Sequence, residues 1–327
     1  MNIGITGGSG FIGQYFIERL EKLSDCDNLK IIDIAKPVFS GNFSFIHGDI
    51  RDKSKIEDFC KGLDCVIHLA AAHHDFGITD EEYFDVNQKG TQILLEAMTN
   101  HGIDKLIFYS TVAVYGTKNL PANENTPPEP ESPYGLSKLA AEKIILEWTN
   151  GQHTRKGIII RPTVVIGARN LANMYFLIDQ IYKNRYLFHF GKGTNIKSIA
   201  YVKNLVDFSL FLLFERISQI KQHVIFNYVD YPQLSFRDTV SIIHEEMGKP
   251  EPRLRIPLGL ALSISKIFDM VIMFTGKNLP ISSARLRKTA SQTQFETIRI
   301  PDLQYQPGWN IVQGLREMVK WYLETKK

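Results

Sequence analysis

Cysteine is scarce. The chain of 327 residues holds three, Cys26, Cys60 and Cys65. An odd number without CxxC spacing excludes a disulfide framework or a thiolate zinc site, and no metal is expected. A reducing compartment follows, so a cytoplasmic location is expected. Charge of one sign is also missing: 38 basic side chains face 35 acidic ones, a formal net charge of +3. That balance argues against a nucleic-acid or anionic-membrane binder. Long uncharged apolar runs are absent as well. The nearest is "IPLGLALSISKIFDMVIMFTG" (256–276), which Lys266 and Asp269 interrupt. No membrane span is expected there, and a buried or amphipathic helix is. The opening "MNIGITGGSG" lacks a basic stretch and a cleavage site, so no leader is expected. There is no internal repeat and no low-complexity tract.

What is present reads as a globular α/β chain. Hydrophobic residues make up 44% and charged residues 22%. "MNIGITG", "LKIIDI", "DCVIHLAAA", "KLIFYSTV" and "KGIIIRPTVVIG" are short apolar runs, and helical patterns separate them. Continuous apolar strands between helices predict a parallel sheet covered on both faces, hence a Rossmann-type doubly wound fold. After Gly167 the rhythm loosens. A dinucleotide-binding domain is expected over 1–167, with 201–230 returning to it. A smaller mixed substrate lobe is expected over 168–200 and 231–327.

"GITGGSGFIG" joins the first strand to the first helix. Gly7, Gly10 and Gly13 form GxxGxxG, which lets a pyrophosphate approach backbone amides at a helix N-terminus. The second strand ends at Asp33, about 20 residues beyond the last of these glycines, where a carboxylate accepts from the adenosine ribose hydroxyls. That favours NAD over NADP, although Lys36 is close by. Further on, "YGLSK" places Tyr134 and Lys138 at i and i+4 on one helix face. A free tyrosine is a poor base near neutrality, and a neighbouring ammonium favours its phenolate.

With "TGGSGFIG" in front, "GDI" (48–50), "HLAA" (68–71), "YSTVAVYG" (109–116) and "YGLSK" (134–138) resemble the extended short-chain dehydrogenase/reductases, and more narrowly the NAD-dependent epimerase/dehydratase family. The resemblance implies that Gly7, Gly10, Phe11, Ile12 and Gly13 hold the NAD pyrophosphate and Asp33 the ribose. It implies that Asp49 and Ile50 flank the adenine and that Leu69, Ala70 and Ala71 line the cofactor channel. Asn87 lies near the cofactor, and Pro162 near the nicotinamide. Tyr134, Lys138 and Thr111 become the catalytic set. Tyr134 takes the proton of a sugar hydroxyl, and the cofactor takes the hydride. His73 is expected near substrate.

Departures narrow the choice. The family's dehydratases carry Asp–Glu after the threonine, and Val112 and Ala113 stand here instead. Sugar epimerases often place Asn near the end of the "RPTVVIG" strand, where this chain has Val164. Lys197 falls where the family commonly has a diphosphate-binding Arg. Arg285 and Arg287, beside Lys288 in "SARLRK", could add charge to such a site, or form a solvated surface loop. The acids of "PANENTPPEPESP" are expected in solvent, and His68 is read as a structural histidine. The function expected is an NAD-dependent nucleotide-sugar epimerase, at C4 of a UDP-sugar, working as a homodimer. A net oxidoreductase of a keto-sugar or hydroxysteroid-like alcohol is the alternative, and a non-catalytic dinucleotide-binding regulator is a third reading.

Overall fold

Runs of branched apolar residues build the sheet. In the computed structural model, which describes residues 1–73, 77–275 and 290–326, these runs form strands, the central ones of which are buried on both faces. They are β1 (Asn2–Thr6), β2 (Asn28–Asp33), β3 (Ser44–His47), β4 (Cys65–His68), β5 (Lys105–Tyr109) and β6 (Lys156–Pro162). With His223–Tyr228 they make a seven-stranded sheet. From that last strand the order runs β6, β5, β4, β1, β2, β3. Every pairing in it is parallel. The order reverses direction between β1 and β4, which opens a crevice beyond the carboxyl ends of those two strands.

Helices α1 (Phe11–Leu20), α2 (Lys53–Cys60), α3 (Asp80–Phe84), α4 (Gly90–Asn100) and α5 (Pro133–Asn150) cover the sheet. A wide π turn, Asp85–Lys89, joins α3 to α4. Ile56, Phe59, Leu94, Met98, Ile145 and Trp148 pack with Val66, Leu106 and Phe108 into one apolar cluster. Cys60 and Cys65 are fully buried, and burial pushes each thiol up to about 12, so both act as small apolar groups. Ser132 caps α5 by accepting from the Gly135 amide at 3.1 Å, and Pro133 follows at the first helical position.

The chain divides into two compact units. The first comprises 1–165, 202–229 and 295–308, and the second 166–201, 230–294 and 309–327. The stretch 295–308, read from sequence as part of the substrate lobe, sits in the first unit. Backbone and buried side chains hold it there. Phe295 bridges to Ala122, Thr297 Oγ1 donates to Glu124 at 2.8 Å, and Arg299 donates to the Ile225 carbonyl at 2.9 Å. The second unit contains helices Asn173–Tyr182, Phe236–Glu246, Leu258–Thr275 and Ile311–Glu324. A short parallel pair, His189–Phe190 with Arg255–Ile256, accompanies them.

Candidate active site

The expected cofactor floor begins where β1 ends. Gly7 has φ of 71°, and a Cβ there would stand 2.6 Å from the Ala70 amide nitrogen. Only glycine fits, and its absence of a side chain lets the ends of β1 and β4 meet. Helix α1 then starts at Gly10 with no side-chain cap. Its first-turn amides, on Phe11, Ile12 and Gly13, are left for an anion. Asp33 closes the floor. One carboxylate oxygen accepts from the Ser9 amide at 3.0 Å and the other from the Ala35 amide at 2.9 Å. Each oxygen keeps a lone pair for a ribose hydroxyl. An uncapped helix start, a glycine turn and a fixed carboxylate fit a dinucleotide.

The flanking positions divide. Asp49 is gripped by Arg51, whose Nε donates at 2.9 Å and Nη2 at 2.6 Å. That pairing holds the Asp49 carboxyl below the usual range. Ile50 is buried against Gly90, so its backbone is what it can present to an adenine. Leu69 and Ala70 are tied to Thr6, and Ala71 follows half-buried. Pro162 is the buried last residue of β6, paired with Tyr228.

The expected acid–base group forms where β5 and α5 meet. Thr111 caps the turn Val112–Tyr115 by accepting from the Ala113 amide at 3.1 Å. A Cβ on Gly135 would lie 2.7 Å from the Ala113 carbonyl oxygen. The glycine of "YGLSK" therefore brings the start of α5 against this turn, and Tyr134 reaches Thr111. Burial pushes the Tyr134 phenol up to about 12; the hydrogen bond with Thr111 works against it, and Tyr83, its ring 6.1 Å away, adds slightly to the rise. The sequence assigned the lowering of this group to Lys138. Here the opposing partner is Thr111, because Lys138 is itself disfavoured as a cation. Burial pushes its ammonium down to about 7, with Glu142 pulling the other way. Its Nζ stands 4.1 Å from the centre of the Phe108 ring.

A chain of hydrogen bonds ties this group to the floor. The Ala70 amide donates to Thr6 Oγ1 at 3.3 Å, and Thr6 Oγ1 lies 2.6 Å from His68 Nδ1. His68 Nε2 lies 3.0 Å from Thr91 Oγ1, which donates to the Asn87 carbonyl at 2.5 Å. These directions assign the proton of a neutral His68 to Nε2. Burial first, and the Lys138 charge second, push His68 down to about 3. The structural reading of His68 holds. Asn87 does more than neighbour a cofactor. It accepts from the Ala72 amide at 2.8 Å and donates to the Ala72 carbonyl at 3.0 Å and to Ser137 Oγ at 2.9 Å. Ser137 in turn donates to the Tyr134 carbonyl at 2.9 Å. Asn87 thus clamps the loop after β4 to the first turns of α5.

Sequence reasoning missed a second network behind the site. Glu142, one turn beyond Lys138, takes Nε and Nη2 of Arg161 at 2.9 and 2.6 Å. It also accepts from Ser110, the residue before Thr111. Arg161 Nη1 donates to the Tyr115 hydroxyl at 2.7 Å, which donates to Asn227 Oδ1 at 2.8 Å. Glu124 ends the series. It was expected in solvent, but it is buried and accepts from the Asn227 amide, Thr297 Oγ1 and the Ile298 amide. Three donors make its burial affordable in electrostatic terms.

His73 is exposed, with Nδ1 3.2 Å from the Ala71 carbonyl. In the second unit, Lys197 Nζ donates to Ser291 Oγ at 3.4 Å. Val164 is half exposed, and Val112 and Ala113 bring no ionisable group to the turn after Thr111. Arg285, Arg287 and Lys288 lie outside the described residues, as do His74 and Asp75.

A glycine turn at an uncapped helix start, with a buried lysine and a half-buried tyrosine and threonine, fits an enzyme that holds a nicotinamide dinucleotide and works at an alcohol carbon. Comparison makes the class specific: residues 3–227 match the NAD dependent epimerase/dehydratase family, and the chain belongs to it. It is 34% identical to the N-acetyl-α-D-glucosaminyl-diphospho-ditrans,octacis-undecaprenol 4-epimerase of Escherichia coli O157:H7, over 100% of this chain and 97% of that one. It is 33% identical to a putative UDP-glucose 4-epimerase of Methanocaldococcus jannaschii, over 64% of this chain and 72% of the relative. A solved UDP-glucuronic acid 4-epimerase from Bacillus cereus, in complex with NAD, superposes with a TM-score of 0.77 at 26% identity over 100% of both chains. The expectations of the family, the Rossmann-type fold, the NAD cofactor and a sugar epimerase are met. Among the described residues no helix is long and apolar enough to cross a membrane.

Proposed function

We propose that this enzyme inverts C4 of an N-acetylhexosamine joined through a diphosphate to a polyprenyl carrier. The observation that carries the reading is the match along the full chain to an epimerase of that substrate. Val164 supports it, since an exposed apolar side chain stands where nucleotide-sugar epimerases often bring a polar one. A UDP-sugar is the second reading, favoured by the Bacillus cereus structure. Both carriers present the same sugar diphosphate. His73 and Lys197, with Arg285 and Arg287, are proposed to meet it.

The chemistry belongs to one carbon. NAD, held by Gly7, Gly10, Gly13 and Asp33, would supply the hydride acceptor and donor for C4, and its oxidised ring would favour the Tyr134 phenolate. Tyr134 accepts the proton of the 4-hydroxyl and later returns it. Thr111, already bonded to the phenol, holds the same oxygen. Lys138, one helical turn beyond Tyr134, offers a donor for the nicotinamide ribose. Val112 and Ala113 offer no acid to expel water, so the sugar is inverted and not dehydrated. A cytoplasmic location completes the reading, as does a homodimer through the outer faces of α4 and α5.

The test offers the purified protein N-acetylglucosaminyl-diphospho-undecaprenol in detergent and, separately, UDP-N-acetylglucosamine and UDP-glucose. Released sugars are then separated by chromatography. The 4-epimer from the lipid-linked substrate is expected. Epimerisation of the UDP-sugars alone would transfer the assignment to the nucleotide carrier. Turnover retained in Tyr134→Phe would overturn the mechanism.

A further inference from the structure

We propose that the second unit carries a docking face for an anionic lipid bilayer, formed by residues 253–266 together with Leu187. The inference rests on the lipid-linked reading above, and it names the surface that brings the enzyme to such a substrate. Large apolar side chains stand in solvent here. Leu254 is 61% exposed, Leu260 55%, Ile264 42% and Leu187 65%. They are grouped by the fold. The His189 amide donates to the Leu254 carbonyl at 3.0 Å, which sets the strand leading from Leu187 beside the one leading from Leu254. Helix Leu258–Thr275 follows directly.

The helix presents two different stripes in its first turns. Ala261 and Ser265, at i and i+4, are buried and seat it on the unit. Leu260 and Ile264, each one residue earlier, form the neighbouring stripe and face outward. Polar groups on that side are subdued. Ser263 is exposed, yet its hydroxyl donates to the Gly259 carbonyl at 3.0 Å, so it asks little of water. An outward stripe of Leu and Ile on a soluble unit wants an apolar medium.

Charge chooses the medium. Arg253, Arg255 and Lys266 are exposed along the same segment. The run 252–266, "PRLRIPLGLALSISK", contains no Asp or Glu. Basic residues interleaved with exposed Leu and Ile are what an interfacial helix presents to anionic headgroups, its apolar side chains entering the acyl boundary. The whole-chain balance of +3 concealed this, because the acids lie elsewhere in the chain. The segment lies in the plane of the bilayer and does not cross it. A substrate diphosphate anchored by a polyprenyl tail is confined to that same plane, so docking replaces a search through solution with one along a surface.

The experiment uses the full chain loaded with NAD, sedimented with vesicles of phosphatidylcholine alone or mixed with phosphatidylglycerol. Binding to the mixed vesicles is expected, weakening as salt is raised. Replacing Arg253, Arg255 and Lys266 together by Gln should weaken it about 100-fold, at roughly one basic contact per factor of five. Replacing Leu254, Leu260 and Ile264 together by Ser should abolish binding to the mixed vesicles. Both variants should keep wild-type turnover of detergent-dispersed substrate, which shows that they fold. Wild-type protein that stays in the supernatant overturns the proposal. So do variants that sediment like wild type, or a Ser variant that loses a self-association while vesicle binding persists. Vesicle binding without turnover of the lipid-linked sugar leaves the docking face standing and removes the substrate reading. Turnover in detergent without vesicle binding does the reverse.

Discussion

Lys138 and His68 are buried bases that burial keeps from their protons, and they set how the protein responds to pH. Lys138 titrates at about 7 in the fold against 10.5 unperturbed. Between those values the unfolded chain binds the extra proton, so stability should rise with pH across that window. Tyr134 reverses the trend at the top, because the fold retains its proton up to about 12 while the unfolded chain loses it from 10.0. Urea unfolding of the NAD-free protein should therefore show a maximum near the crossing. Lys138→Met should flatten the rising limb. His68 works at the acid end. Its pKa falls from 6.5 to about 3, so its contribution is complete above the higher value and is lost as pH falls toward the lower. His68→Gln should remove that acid slope in the same assay.

The glycine turn, Asp33 and the Tyr–Lys pair were legible because each depends on neighbours in sequence. Gly7 needs its own backbone angle, and Tyr134 and Lys138 share a helix face by spacing alone. The elements that hold them in place were not. Glu142 and Arg161 lie on different elements, α5 and β6, and a buried ion pair uses the same letters as an exposed one. Two signals were available: an arginine inside the apolar run "IIIRP", and an acid one turn beyond Lys138. Breaking the pair leaves a charge buried without its partner, which costs about 3–5 kcal/mol. Glu142→Gln should show that loss in chemical denaturation, together with a lower kcat as Ser110 and Thr111 lose their backing. Asn87 acts between elements in the same way. Asn87→Ala strips the Ala72 backbone and Ser137 of partners, at about 1–3 kcal/mol for each group left buried and unsatisfied. It should lower kcat more than it weakens NAD binding, as measured by single turnover and by cofactor titration.

At the scale of the molecule, the sheet was predictable because its central strands, buried on both faces, leave unbroken apolar runs. The division into units was less so. The chain enters the first unit three times, and the third passage, 295–308, carries little apolar pattern to announce it. It is attached by polar groups, through Glu124, Asn227 and the Ile225 carbonyl, and by the rings of Phe295 and Tyr305. That attachment sets an order in time. A chain emerging from the ribosome has completed every strand of the sheet by Tyr228, yet Glu124 still lacks two of its three donors until Thr297 and Ile298 have been made. The tyrosine, lysine and threonine are therefore synthesised early and braced late. A chain truncated after 294 should be more readily cleaved by protease within 117–132 than one truncated after 308, since only the longer one carries the donors that brace Glu124.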